Sequence, residues 1–244
     1  MNDHDHSHDH GDDHDHSHGH GHDHGHGHAN DQGFKGAIRY LKMAPEMWNS
    51  TINDAVLGLV DPKPSEHVLD IGAGMGPGMA LAARYGAKVT AVEPTPFMRR
   101  VLSFRRMLQS ARKRITVADG SAEKLPVPDA SIDALWSVNA MHHWIDPQQA
   151  AVEIARVLKP GGRVVLVDED FADPQHPEYE RFKDRHASDA DSDSDSESSH
   201  NHHGFTMVDA EDMGRLLSAA GVGEVQAEKR YIANRPAIVV EAKR

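Results

Sequence analysis

The chain has 244 residues, enough for one α/β domain with a full core plus tails, and its lack of cysteine excludes disulfides and thiolate chemistry. No apolar run reaches membrane-spanning length and the amino terminus is polar without a secretory pattern, so the expectation is a cytoplasmic protein with no membrane partner. The net charge of −12 is concentrated in residues 1–33, with eight Asp and no Lys or Arg, and in residues 184–198, which leaves the remainder close to neutral and says little about a substrate.

In the first stretch His4, His6, His8, His10, His14, His16, His18, His20, His22, His24, His26 and His28 alternate with Asp, Ser and Gly. With no apolar face, residues 1–33 read as a disordered tail ahead of a folded domain at 34–244. Imidazole ligates divalent transition metals and the flanking carboxylates concentrate cations, so the tract is a candidate for holding Zn²⁺ or Ni²⁺ without one fixed geometry. It is similar to the His-rich loops of zinc transporters and metallochaperones; a solvated tail with no physiological metal is the alternative.

Pro45-Glu46 opens a helix with Met47, Trp48, Ile52, Val56, Leu57 and Val60 at helical spacing, and Asp61-Pro-Lys-Pro64 ends it. Val68-Leu-Asp-Ile71 then reads as a buried strand, followed by Gly72, Gly74, Gly76 and Gly78 and a helix from Met79. Glycines in that order suit a tight turn lying against a ligand at the carboxyl end of a strand. A dinucleotide fingerprint would need glycine where Pro77 stands, and Asp70 beside the loop would repel a pyrophosphate while favouring a cationic ligand. Lys88–Glu93 is the second strand, and Glu93, 19 residues beyond Gly74, is placed to accept ribose hydroxyls.

Asp70-x-Gly72-x-Gly74-x-Gly76 with Glu93 resembles the first two motifs of the class I S-adenosylmethionine-dependent methyltransferases. The resemblance implies S-adenosylmethionine as cofactor, with Asp70, Gly72, Gly74, Gly76 and Glu93 around it. The missing cysteines argue against an arsenic-type acceptor, which would want thiolate ligands.

Thr95-Pro96 caps a helix carrying Arg99, Arg100, Arg105, Arg106, Arg112, Lys113 and Arg114, read as a solvated outer helix, which makes nucleic acid an unlikely partner. After the strand Ile115–Asp119, Gly120–Asp133 resembles the methyltransferase subgroup of ubiquinone and menaquinone biosynthesis. That likeness implies adenine contacts from Asp119, Ser121 and the Ala122 amide, although Ser121 replaces the acid usual at its position. A fourth strand, Ala134–Val138, leads into Asn139-Ala-Met-His-His-Trp144, which in related enzymes borders the transferred methyl. Asn139 then belongs to the cofactor side, His142 or His143 is a candidate general base, and Trp144 would wall the acceptor pocket or lie over the sulfonium.

Asp146-Pro147 caps the next helix, Leu158-Lys-Pro-Gly-Gly162 reads as a turn, and Arg163–Asp168 is the fifth strand, with Asp168, Glu169 and Asp170 at the ligand end and Asp168 a catalytic candidate. Residues 171–204 read as a flexible Asp/Ser/His-rich insert. A helix from Thr206 or Asp209 to Gly221 and two strands, Val225–Tyr231 and Ala237–Ala242, close the chain as an antiparallel hairpin. The expected fold is a doubly wound, seven-stranded, mostly parallel α/β sheet. The expected activity is methyl transfer to a small-molecule acceptor; a metal-handling protein on the same fold and an RNA methyltransferase are the alternatives.

Overall fold

The computed structural model describes residues 50–180 and 209–244, so the His tract, Trp48 and most of the insert lie outside the described residues. Five helices are described: α1 (Thr51–Val60), α2 (Pro77–Arg84), α3 (Pro96–Met107), α4 (Pro147–Val157) and α5 (Ala210–Ala219). The strands are β1 (His67–Ile71), β2 (Lys88–Val92), β3 (Ile115–Ala118), β4 (Ile132–Val138), β5 (Leu158–Glu169), β6 (Gly223–Ile232) and β7 (Arg235–Lys243). They form one sheet in the order β3-β2-β1-β4-β5-β7-β6, parallel from β3 to β5, with β7 antiparallel to both β5 and β6.

Strand periodicity divides the core into two layers. Leu69, Ile71, Leu135, Val164 and Leu166 pack with Ala150 and Ile154 of α4 and Met213 and Leu217 of α5. On the opposite face Val68, Trp136, Val165 and Val167 pack with Ile52 and Val56 of α1, Met79 of α2 and Leu102 of α3. Being covered on both faces, the central strands carry near-continuous apolar runs.

Proline in the first turn or an Asp cap accounts for four of the five helix starts. Pro77, Pro96 and Pro147 stand in the first turns of α2, α3 and α4, where a missing N–H leaves nothing unpaired, and Asp146 accepts from the Gln149 N–H at 2.9 Å. Of the two starts expected for the last helix, Asp209 is the cap and accepts from Glu211 N–H at 2.7 Å. Thr95 is not a side-chain cap: its backbone N–H donates to Glu93 instead. The basic helix stops at Met107 rather than running to 114; the chain folds back so that Arg106 Nε reaches the Ile115 carbonyl at 2.7 Å, and Arg112–Arg114 form a separate 3₁₀ turn. The Leu158-Lys-Pro-Gly-Gly segment joins β5, because Leu158 pairs with Ile132 and Gly161 and Gly162 exchange hydrogen bonds with Arg244. β6 and β7 turn at Ala233 and Asn234, both at positive φ, between the two strands expected at Val225–Tyr231 and Ala237–Ala242.

Candidate active site

Five parallel strands end at one edge of the sheet, and the glycine loop lies there between β1 and α2. Gly72 and Ala73 both donate to the Val92 carbonyl, at 2.9 and 3.0 Å, which ties the loop to the end of β2. Gly72, Gly74 and Gly76 all have positive φ, so the loop follows a path that residues with a Cβ rarely take. At Gly72 a Cβ would also stand 2.6 Å from Ala140 Cβ in the turn after β4.

Glu93 is buried at the mouth of this loop. Its carboxylate accepts from the Gly74 N–H and the Thr95 N–H, each at 2.9 Å, so one side chain joins the glycine loop to the start of α3. Asp70 points the other way. It is buried beneath α2, where a Cβ on Gly78 would meet Trp136 Nε1 at 2.7 Å, Asn53 Oδ1 at 3.0 Å and Asp70 Oδ2 at 3.1 Å. Neither Asp70 Oδ2 nor Trp136 Nε1 closes a hydrogen bond. Burial pushes the Asp70 carboxyl up to about 7, against the opposing pull of the Met79 amide and the nearby indole N–H.

Arg105, expected on a solvated outer helix, reaches the glycine loop instead. It is buried with Met98 and Leu102 on the inner side of α3, and Nη1 donates to the Met75 carbonyl in the glycine loop at 3.2 Å. Desolvation brings its guanidinium down to about 10. The spacing 98, 102, 105 is that of one helical face, and this is the signal that could have found it.

The expected adenine-side residues divide. Asp119 has a side chain 73% exposed and pairs with Arg99 Nη1 at 2.9 Å. Ser121 forms an isolated bridge with Lys124, whereas Ala122 is buried in the core. Glu123 beside them accepts from the Ile145 N–H at 2.8 Å, fastening this loop to the segment after β4.

The turn after β4 is organised by Asp168. Its Oδ1 accepts from Ala140 N–H at 3.0 Å and Met141 N–H at 3.3 Å, and its Oδ2 from His142 N–H at 3.0 Å and the His142 ring at Nδ1 at 2.8 Å. A carboxylate facing Nδ1 fixes the hydrogen there, so Nε2 carries the lone pair and can take a proton. The His142 side chain is 10% exposed, while His143 is an exposed residue whose ring centroid lies 4.0 Å from that of His142. The Asn139 side chain is bonded to Glu169, through Nδ2 to Oε1 at 2.7 Å and through Oδ1 from the Glu169 N–H at 2.8 Å. Trp144, expected to wall an acceptor pocket, is buried in the core cluster with Leu125 and Ala151. The three consecutive acids at the end of β5 are each bonded within the protein: Asp168 as above, Glu169 to Asn139, and Asp170 to Lys229 at 2.9 Å.

Among the described residues no group of three or more His, Asp or Glu is arranged to hold a metal ion, and no helix is long and apolar enough to cross a membrane.

Residues 69–166 match the family model described as a methyltransferase domain. An uncharacterized methyltransferase of Mycobacterium tuberculosis is 41% identical over 106 residues, covering 43% of this chain and 41% of the relative. The demethylmenaquinone methyltransferase of Tropheryma whipplei is 38% identical over 111 residues, covering 45% and 44%. The chain thus spans less than half the length of these relatives. Among solved structures, a S-adenosylmethionine-dependent methyltransferase from Aquifex aeolicus superposes with a TM-score of 0.60 at 18% identity, over 85% of this chain and 97% of that one. Phosphoethanolamine N-methyltransferase 2 of Haemonchus contortus, in complex with S-adenosylmethionine, gives 0.60 at 20% identity over 79% and 52%. At these identities the structural likeness is one of fold. Residues 69–166 are thus similar to a methyltransferase domain, and the seven-stranded sheet that holds them has the fold of the solved S-adenosylmethionine-dependent methyltransferase.

Proposed function

We propose that this chain transfers a methyl group from S-adenosylmethionine to a small-molecule acceptor, with His142 as general base and Asp168 as the residue that orients it. The observation that carries the reading is the junction of glycine loop and Glu93: a loop with glycine at 72, 74 and 76, all at positive φ, whose Gly74 N–H donates to the Glu93 carboxylate at 2.9 Å. These residues fit a nucleoside with a cationic tail. The loop permits close backbone approach and Glu93 has a carboxylate for ribose hydroxyls, whereas Asp70 is turned beneath α2 and supports the loop from behind.

When bound, the cofactor supplies an electrophilic methyl group on a sulfonium. The protein's contribution is mainly positioning, which makes a near-attack geometry intramolecular. Glu93 and the backbone of the glycine loop would hold the nucleoside end, and Asn139, at the end of β4, would lie on the cofactor side. His142, with Nδ1–H held by Asp168, receives at Nε2 the proton of an acceptor hydroxyl or protonated amine. His143 and the adenine contacts of Asp119, Ser121 and the Ala122 amide remain part of the proposal, with Asp119 needing to leave Arg99.

The acceptor belongs, on this reading, to the small polar or quinol-like molecules handled by the ubiquinone and menaquinone subgroup; the demethylmenaquinone methyltransferase relative supports it. A nucleic-acid acceptor fits less well, because Arg99, Arg105 and Arg106 are bonded to carbonyls of this chain. The twelve tract histidines are proposed as an accessory Zn²⁺ or Ni²⁺ binder and the protein as cytoplasmic; both rest on the sequence.

Calorimetric titration with S-adenosylmethionine, on wild type and Glu93→Ala, with and without Zn²⁺, tests the reading. Micromolar binding lost in Glu93→Ala and indifferent to Zn²⁺ supports it. Absence of cofactor binding alongside multi-site Zn²⁺ uptake would put a metal-handling role in its place.

A further inference from the structure

Beyond His142 and Asp168 lies a second buried polar cluster, of which the chemistry above uses only Asn139. Glu169 is buried at the end of β5, and its carboxylate gathers three donors: Asn139 Nδ2 on Oε1 at 2.7 Å, and His176 Nε2 at 3.0 Å with Arg235 Nη1 at 2.6 Å on Oε2. The His176 side chain is wholly buried, with the Phe171 ring edge-on at 4.6 Å. Its Nδ1 accepts from the Glu178 N–H at 3.1 Å, so the ring hydrogen sits on Nε2 and points into Glu169. Four parts of the chain meet here: the end of β4, the end of β5, the segment after it, and the first residue of β7.

We propose that His176 is a positioning residue for the methyl-transfer site: through Glu169 and Asn139 it holds the turn at 139–142, and with it the His142 ring. The proposal rests on the functional reading above for its catalytic meaning, and on the following geometry for its existence.

Asn139 has φ 52, a left-handed backbone for a residue with a Cβ, at the point where β4 ends with Asn139 N–H on Val167 O. Asn adopts this conformation more readily than other residues with a Cβ, and here its surroundings hold it in place. Here the side-chain amide is clamped twice by Glu169, through the carboxylate and through the backbone N–H. The clamp is only as fixed as the carboxylate, and a buried carboxylate is fixed by its donors. Arg235 supplies the countercharge. His176 supplies a short, rigid donor that aims Oε2 and leaves Oε1 to Asn139. Immediately beyond Asn139, Ala140 packs against Gly72, and Met141 and His142 give their N–H groups to Asp168. A shift of the turn therefore moves the floor of the glycine loop and the candidate base together.

Two substitutions separate relay from packing. His176→Asn keeps an acceptor near Nδ1 for the Glu178 N–H and falls short of Glu169. His176→Gln keeps a donor of Nε2 reach. Amide hydrogen exchange on the full chain, followed by NMR, is expected to show the Ala140, Met141 and His142 amides exchanging at least about ten-fold faster in His176→Asn, with Leu135–Ser137 of β4 unchanged, and about wild-type rates in His176→Gln. A change of equal factor at all of these amides in both variants, or none at the turn, overturns the proposal, since packing alone predicts that. If His176→Asn does not fold, Glu169→Gln, which needs no countercharge, is expected to loosen the same three amides; full protection there also overturns it. Calorimetry on wild type keeps the two readings apart: no affinity for S-adenosylmethionine would sink methyl transfer, while the exchange pattern still decides whether the relay exists.

Discussion

Asp168 and His142 are joined twice, through the ring at Nδ1 and through the backbone N–H, on the same carboxylate oxygen at 2.8 and 3.0 Å. One acid therefore fixes both the peptide that carries the imidazole and the tautomer of the imidazole. In Asp168→Asn the NH₂ group must face two N–H donors, either the His142 pair or those of Ala140 and Met141, and both of those hydrogen bonds are lost. Thermal or denaturant unfolding is expected to show a loss of about 1–3 kcal/mol, the usual penalty for a buried donor left unsatisfied. Turnover should fall at least about 100-fold with cofactor affinity little changed. Unaltered turnover would remove the dyad from the mechanism.

Glu93 bridges Gly74 and Thr95 through its two oxygens. Glu93→Gln can keep only one of those acceptors, so its affinity for S-adenosylmethionine is expected to drop about 10- to 100-fold, one to two bonds' worth at roughly 1.4 kcal/mol per decade. Isothermal titration measures it; wild-type affinity in this variant would dissociate Glu93 from the cofactor.

Asp70 makes stability depend on pH in an unusual direction. Burial raises its folded pKa from 3.8 to about 7. The folded state thus holds a proton that the unfolded chain releases above its ordinary pKa. Its contribution to stability is fully present below the unfolded pKa and is lost as pH rises through about 7. Asp70→Asn, which stays neutral, is expected to gain stability relative to wild type between pH 5 and 8, approaching a few kcal/mol at about 1.4 kcal/mol per pKa unit. Urea unfolding at pH 5 and pH 8 is the check, and parallel curves for the two proteins would contradict a neutral buried Asp70.

Gly72 combines φ 69 with a position where a Cβ would lie 2.6 Å from Ala140 Cβ. Gly72→Ala is expected to destabilise the fold by about 1–3 kcal/mol and to abolish cofactor binding by shifting the loop. Ala140→Gly in the same chain should recover the steric part and leave the dihedral part. Full recovery in the double variant would show that sterics alone select glycine here.

Much of this was legible in the chain because the signals are local. Asp70-x-Gly72-x-Gly74-x-Gly76, the proline at helix starts and the apolar β4 and β5 runs each arise from a backbone constraint or a burial pattern that neighbouring residues display. Arg105 is not legible in the chain for the opposite reason. Its charge suggested solvent, and only the pairing of α3 with the glycine loop shows where its guanidinium goes. Trp144 reads as an acceptor wall beside His142 and His143, yet packing places it in the core.

The sequence by itself determined the order of elements, the parallel sheet with its antiparallel end, and the residues gathered at the strand ends, since periodicity, glycine and proline act within a few residues. Tertiary structure alone decided the partners. Asp168 takes His142 from 26 residues away, Glu169 takes Arg235 from 66, and Asp70 turns beneath α2 rather than into the loop. A carboxylate looks the same in sequence whether it meets solvent, a backbone amide or an imidazole; its role is set by burial and by donors that the fold brings from distant strands.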